Sequence, residues 1–141
     1  MSRSMGLDVG KKTIGVALSD PSYLIAQAQG TIKRTSQKED IDRVLEIVEK
    51  ESVEEVVIGL PKHMNGDQGA SVDRAKSFGR ALEEAMGRPV IYQDERMTTL
   101  SADRVLMKTG VRRENRKKYV DAIAATFILQ TWLDKEKRSF S

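Results

Sequence analysis

The sequence has 141 residues, of which 39% are hydrophobic and 32% charged, with no cysteine and a formal net charge of +3. This length allows one sizeable core, and the lack of cysteine excludes disulfides, thiolate metal ligands and a cysteine nucleophile. The apolar runs are too short to cross a membrane, and the first residues lack the apolar segment of a secretory signal. We therefore expect a single domain over residues 1–141 in the cytoplasm, where its mild positive charge permits a polyanionic partner.

Two β-branched segments near the N-terminus, residues 5–9 and 13–19, predict the first β-hairpin. The stretch around them resembles a phosphate-binding loop, but three residues separate Gly6 from Gly10, whereas that loop requires four. Such a loop also opens a helix, and the residues after Gly10 predict a strand. We therefore interpret residues 10–12 as the hairpin turn, in which Gly10 would supply a positive φ.

The rest of the chain alternates between predicted strands and helices. Ser36 and Glu39 form a capping-box pattern at the start of the first helix, and Gly87 is expected to end the second. The predicted elements are a strand over 26–34, a helix from Ser36, a strand over 56–60, a helix over 72–82, a strand over 89–93, a short helix over 99–108 and a last helix over 119–133. This order predicts an α/β fold in which helices cover a mixed sheet.

Acidic residues occupy positions that the predicted fold should bury. Asp8 ends the first strand, the pair Asp94 and Glu95 follows a later strand, and Asp121 lies on an apolar stripe of the last helix. Sites in open α/β sheets form at the carboxyl ends of the parallel strands, so these acids are expected to meet there. Each acid could instead be neutralised by an arginine or a backbone amide. Three converging carboxylates would bind Mg²⁺ or Mn²⁺, as one or two ions, and would suit phosphoryl chemistry.

A basic stretch precedes Asp121, since five of the seven residues 112–118 are lysine or arginine. Such a run is commonly a solvated helix start, but it could also bind a phosphate backbone close to the carboxylates. Arg96 could clamp a phosphate with its planar guanidinium or could form a salt bridge with Asp94 or Glu95. The predicted nucleic-acid contacts are Lys11, Lys12, Arg96, Arg112, Arg113, Arg116, Lys117 and Lys118.

Four segments together resemble the YqgF family of small bacterial proteins, also called RuvX. They are GLDVGKKTIGVALSD (6–20), VVIGLPKHMNG (56–66), YQDERMTT (92–99) and RKKYVDAIAATFILQTWLD (116–134). The resemblance implies a ribonuclease H-like fold with a five-stranded mixed sheet in the order 3-2-1-4-5 and helices on both faces. It also implies metal-dependent cleavage of nucleic-acid phosphodiesters, in the 5′ processing of pre-16S ribosomal RNA. Asp8, Glu95 and Asp121 match the family's catalytic and metal-binding positions.

The chain departs from the better-studied resolvases of this fold at two acidic positions. Strand four ends in residues 59–61 (GLP) instead of a glutamate, and Ala124 and Ala125 stand where a second helix acid would follow Asp121. Two alternatives therefore stay open beside the RNA nuclease: a Holliday junction resolvase acting on DNA as a dimer, and a non-catalytic nucleic-acid-binding module. A monomer or a homodimer is compatible with the sequence. A phosphotransferase of the actin or sugar-kinase type shares the D-x-G hairpin but needs two such domains.

Overall fold

A computed structural model describes residues 2–61, 68–95 and 113–139 of the chain, and the side chains of residues 2–60, 69–93 and 122–135. The elements of this part are β1 (Arg3–Val9), β2 (Thr13–Ser19), β3 (Ala26–Lys33), α1 (Gln37–Lys50), β4 (Val53–Pro61), α2 (Gln68–Met86), β5 (Ile91–Glu95) and α3 (Arg113–Ser139). The predicted helix over 99–108 lies outside the described residues.

The strands form one five-stranded sheet in the order β3-β2-β1-β4-β5, which confirms the predicted mixed sheet. β1 pairs with β2 in the antiparallel direction and with β4 in the parallel direction, and β4 pairs in parallel with β5. Parallel strands end on the same side of a sheet, so β1, β4 and β5 share one edge. We call this side, at residues 8–9, 59–61 and 93–95, the carboxyl edge.

The sheet is covered by helices on both faces, as expected. Side chains alternate along each strand, so Met5 and Leu7 of β1 pack with Phe78 and Leu82 of α2 in a first core cluster. The opposite face carries a second cluster with α3. Its buried members are Ala17, Ala26, Val57, Ala125, Ile128, Leu129 and Leu133. Strand residues that face α1 and α2, such as Met5 and Leu7, are thus large, while several that face α3, such as Ala17 and Ala26, are small.

The predicted helix signals are confirmed at two helix ends. The Ser36 hydroxyl accepts a hydrogen bond from the backbone N–H of Glu39 and caps α1. At the end of α2, Gly87 adopts a φ of 72° and its N–H donates to the Glu83 carbonyl. Within the described residues, no helix is both long and apolar enough to span a membrane.

Two predicted boundaries were wrong for identifiable reasons. The fifth strand begins at Ile91 instead of Pro89, because proline has no N–H to donate and the Val90 N–H donates to the Glu83 carboxylate instead of a strand. The last helix begins at Arg113, six residues earlier than predicted. Lysine and arginine are good helix formers, so the basic stretch forms the first turns of α3.

Candidate active site at the carboxyl edge

Asp8 lies one residue before the end of β1 and is half-buried between the buried residues Leu7 and Val9. The strand is buried as expected at Leu7 and Val9, while Asp8 itself is partly exposed, which lowers the desolvation cost of a carboxylate at this position. Its register partner on β2 is Gly15, which has no side chain to cover that position. The local structure thus places a partly exposed aspartate at the carboxyl edge.

Gly6 brings α3 unusually close to the strand that carries Asp8. A Cβ atom added at Gly6 would lie 2.7 Å from the Leu129 Cβ and 2.8 Å from the Ala125 carbonyl oxygen. Only glycine fits at this distance, so Gly6 sets the separation between β1 and α3. Since Asp8 is two residues further along β1, it lies on the same face as Gly6.

Gln130 shows the direction in which α3 crosses the sheet. Its amide nitrogen donates to the Leu24 carbonyl at 3.0 Å, and its amide oxygen accepts from the Ala26 N–H at 2.8 Å. Ala26 pairs with Ser19, whose hydroxyl accepts from the Ser4 N–H near the start of β1. The later part of α3 therefore lies at the amino end of β1, and its earlier part runs toward the carboxyl edge.

From this course we expect the backbone of Asp121 to lie close to the level of Asp8. Asp121 precedes Ala125 by one helical turn, which is about 6 Å along the axis. Asp8 follows Gly6 by two strand residues, which is about 7 Å in the same direction. The side chain of Asp121 lies outside the described residues. Its predicted apolar stripe is buried at Ala124, Ala125 and Ile128, while Trp132 is only partly buried.

Glu95 is the last residue of β5 and stands in register with Pro61 of β4. Its backbone therefore reaches the carboxyl edge, while its side chain lies outside the described residues. Two residues earlier, Gln93 is only 6% exposed and pairs with Gly59. A buried polar side chain next to this edge was missed by sequence reasoning, because a glutamine at a predicted strand end carries no signal of its own.

The turn between β1 and β2 contains Lys11 and Lys12, three and four residues after Asp8. The N–H of Gly10 donates to the Thr13 carbonyl at 2.9 Å, which closes the predicted hairpin turn. The predicted positive φ at Gly10 is wrong, because positive values occur only at Gly30 and Gly87 among the described glycines. Glycine is needed there for space instead, since a Cβ would lie 2.9 Å from the Thr13 carbonyl oxygen. Lys11 and Lys12 are both exposed.

The other predicted nucleic-acid contacts are only partly described. Arg96 and Arg112 lie outside the described residues, as does the predicted contact between Arg96 and the neighbouring acids. Four others have a described backbone in the first turns of α3, while their side chains lie outside the described set. They are Arg113, Arg116, Lys117 and Lys118.

Among the side chains that the structure describes, no three histidine, aspartate or glutamate groups lie close enough to hold a metal ion. Two of the three carboxylates in the predicted metal site, those of Glu95 and Asp121, are not in that set. The chemistry of the donors fits a hard cation, because an all-carboxylate set provides oxygen ligands without nitrogen or sulfur. Two of the three positions, Asp8 and Glu95, stand at the ends of parallel strands, at the carboxyl edge.

Solved structures share this arrangement of sheet and helices. T. thermophilus RuvC in complex with a Holliday junction substrate superposes with a TM-score of 0.60 at 19% identity, over 97% of this chain and 96% of RuvC. The fowlpox virus resolvase in complex with Holliday junction DNA gives 0.57 at 12% identity, over 95% and 98% of the two chains. The fold is thus of the ribonuclease H-like class to which RuvC belongs.

Sequence comparison defines the family more closely. The family model described as "RuvX: Holliday junction resolvase" matches residues 2–135. A Caldanaerobacter subterraneus subsp. tengcongensis protein named "Putative pre-16S rRNA nuclease" is 51% identical over 138 residues, 97% of this chain and 99% of its own. A protein of the same name from Agathobacter rectalis is 47% identical over 94% of each chain. The chain therefore belongs to the RuvX family, which confirms the resemblance of its four motifs.

Proposed function

We propose that this protein is a metal-dependent nuclease whose catalytic and metal-binding carboxylates are Asp8, Glu95 and Asp121. Membership of the RuvX family provides the class of enzyme. The observation that supports this choice of residues is the contact of α3 with β1, which joins Gly6, two residues before Asp8, to Ala125, one helical turn after Asp121. The end of β5 adds Glu95 at the same edge.

The proposed cofactor is Mg²⁺ or Mn²⁺, held by the oxygen atoms of these three carboxylates. When bound, one or two such ions supply an activated water and stabilise the oxygen that leaves the phosphorus atom. The half-buried setting of Asp8 suits this role, because the residue stays partly exposed while Leu7 and Val9 anchor its strand. No histidine or cysteine ligand is required.

Two basic segments are proposed to bind the phosphate backbone on either side of this site. The β1–β2 turn exposes Lys11 and Lys12 directly after the strand of Asp8. The first turns of α3, residues 113–118, extend about 4 to 12 Å beyond the level of Asp121. Basic residues at a helix N-terminus oppose the macrodipole, and a bound phosphate would relieve that repulsion. Contacts of this kind are independent of nucleotide sequence and sensitive to salt.

The proposed substrate is pre-16S ribosomal RNA, which is the RNA in the name of the relatives, and the proposed reaction is the processing of its 5′ end. An RNA of this kind would place the protein in the cytoplasm. One active site is enough to process an RNA end, so a monomer would suffice. A Holliday junction, the substrate in the description of the family model, has two strands to cut and would require a homodimer with two sites.

A cleavage assay tests the function and its site together. Labelled pre-16S RNA with its 5′ extension, a single-stranded RNA and a four-way DNA junction are incubated with the protein in Mg²⁺, Mn²⁺ or EDTA. We expect metal-dependent cleavage of the RNA precursor. Asp8→Asn, Glu95→Gln and Asp121→Asn should each lower the rate about 100-fold or more, because each removes a carboxylate from the metal site.

Asp134→Asn is the matched control, because it neutralises an aspartate of the same helix at the opposite end of the sheet. It should cleave like the wild-type protein. Cleavage of the junction alone would move the function to DNA. Salt-sensitive binding without cleavage by any form would contradict the enzyme and leave a binding module, consistent with buried Ala124 and Ala125 at the position of a further acid.

A further inference from the structure

Arg34 connects the β1–β2 turn to the body of the protein at two points. Its side-chain Nη1 donates to the Gly10 carbonyl at 3.0 Å, and its backbone N–H donates to the Lys12 carbonyl at 2.8 Å. Gly10 and Lys12 lie at the two ends of the turn that exposes Lys11. Both ends are therefore fixed to one residue at the end of β3.

The guanidinium of Arg34 is itself held in place from other sides. Its Nε lies 3.0 Å from Oδ2 of Asp40 in an ion pair in which the two side chains are 15% and 1% exposed. Oδ1 of Asp40 accepts from the Thr35 N–H, so the carboxylate is oriented as well. The guanidinium also lies 5.5 Å from the centre of the Phe78 ring, within the range of a cation–π interaction.

The contacts of Arg34 do more than neutralise the buried carboxylate of Asp40. An ammonium group could balance the charge of Asp40, but the planar fork of arginine can also donate to a second acceptor in a fixed direction. In this structure the second acceptor is the Gly10 carbonyl, two residues after Asp8. Through Arg34, the Gly10 carbonyl just after β1 is thus connected to Asp40 in the first turn of α1.

We propose that Arg34 is a positioning residue, whose guanidinium fixes the turn that presents Asp8 to the metal and Lys11 and Lys12 to substrate phosphates. This inference rests on the proposed nuclease function. A carboxylate and two cations held in place before binding need less ordering when metal and substrate arrive. The loss of Arg34 should therefore raise the Mg²⁺ concentration needed for half-maximal cleavage more than it lowers the cleavage rate at saturating Mg²⁺.

Two variants separate this role from folding. Arg34→Lys keeps a cation next to Asp40 but gives up the forked contact with Gly10. Arg34→Met combined with Asp40→Asn removes both charges, so that no unpaired carboxylate stays buried. Arg43→Met is the matched control, because Arg43 also donates to a backbone carbonyl, that of Lys33 at 2.7 Å, and lies 4.0 Å from a glutamate, but these contacts are not with residues 10–12.

The first measurement is amide hydrogen exchange, which is independent of cleavage. In both Arg34 variants the Gly10 N–H, which donates to Thr13, should exchange about tenfold faster relative to the central amides of β1. The second is the Mg²⁺ concentration that gives half-maximal cleavage. Partners that orient metal ligands are commonly worth about 10–100-fold in metal affinity, so we expect at least a tenfold rise in both variants and none in Arg43→Met.

An unchanged Mg²⁺ midpoint in folded Arg34 variants would overturn the positioning role, and so would Gly10 exchange equal to that of the Arg43 control. A purely structural role would lower the melting temperature and leave both quantities as in the wild-type protein. No cleavage by the wild-type protein would instead overturn the proposed nuclease function. The exchange comparison would then still decide whether Arg34 holds the turn.

Discussion

The two faces of the sheet are packed in different ways. On the α1–α2 face the core contains large side chains, among them Met5, Leu7 and Phe78, all fully buried. On the α3 face the contact with β1 is made by Gly6 against the backbone of Ala125. The first face fills volume with large apolar side chains. The second face sets a short distance between β1 and α3, which carry the proposed site residues Asp8 and Asp121.

The difference separates stability from geometry. Removing volume on the α1–α2 face should cost folding free energy and leave the carboxyl edge as it is. Adding volume on the α3 face should displace a helix whose early turns reach that edge. Two variants with the same loss of stability are therefore expected to differ in the Mg²⁺ concentration needed for half-maximal cleavage, depending on which face carries the substitution.

The largest expected effect on stability is that of Leu82→Ala in the α1–α2 core. Leu82 is fully buried, and truncation of such a leucine costs about 2–5 kcal/mol because a cavity stays behind. Denaturant unfolding measures this loss. At a temperature where the variant is folded, the Mg²⁺ midpoint of cleavage should equal that of the wild-type protein. A shifted midpoint would show that the two faces are not independent.

Gly6→Ala has a smaller expected cost in stability but a larger one in function. One methyl group meets the Leu129 Cβ and the Ala125 carbonyl oxygen within 3 Å, so α3 must move away from β1. Overpacking of this kind costs about 1–3 kcal/mol. Because Asp121 moves with the helix, we expect the Mg²⁺ midpoint to rise about tenfold or more.

Leu82→Ala is the control for that experiment, since it destabilises at least as much without touching α3. If Gly6→Ala retained the wild-type midpoint, the proposed convergence of Asp8 and Asp121 across this contact would be wrong. A melting temperature that did not change would contradict the close packing at Gly6 itself.

Local signals predicted much of the fold, and the family resemblance added the order of the strands. The capping serine at Ser36 and the stop at Gly87 depend on neighbouring residues, and both predictions were confirmed. The four family motifs are spread in order between residues 6 and 134, and the family and the sheet order 3-2-1-4-5 were confirmed. The single domain over residues 1–141 stays a prediction, as do the roles of the acids.

The features missed by sequence reasoning depend on distances between elements that are far apart in the chain. Gly6 looked like part of a phosphate loop, and only the approach of α3 more than 100 residues later explains it. Arg34 and Asp40 are six residues apart, but on a strand end and a helix, where sequence spacing does not predict an ion pair. The start of β5 was placed too early because a proline was counted as a strand residue.

The smallest expected effect tests how the later part of α3 is tied to the sheet. Gln130 binds the Leu24 carbonyl, and Asp20 organises the loop that contains Leu24. One oxygen of the Asp20 carboxylate accepts from the Leu24 and Ile25 N–H groups, at 2.8 and 2.9 Å, and the other accepts from the Ser22 hydroxyl. These donors, with the Ile25 N–H first and the Ser22 hydroxyl next, hold the pKa of Asp20 well below its ordinary value.

A lowered pKa in the folded state means that the ionised carboxylate stabilises the fold above its ordinary pKa of about 4. This contribution is lost as the pH falls toward the pKa of the folded state. Asp20→Asn should therefore lower the melting temperature by a few degrees at pH 7, and its difference from the wild-type protein should shrink steadily below pH of about 4. Asp73→Asn, which removes an exposed carboxylate from α2, controls for the change in net charge. Since the loop lies at the amino end of β1, cleavage at neutral pH should hardly change. A melting difference that is equal at pH 7 and at acidic pH would mean that the Asp20 carboxylate does not stabilise this loop through its charge.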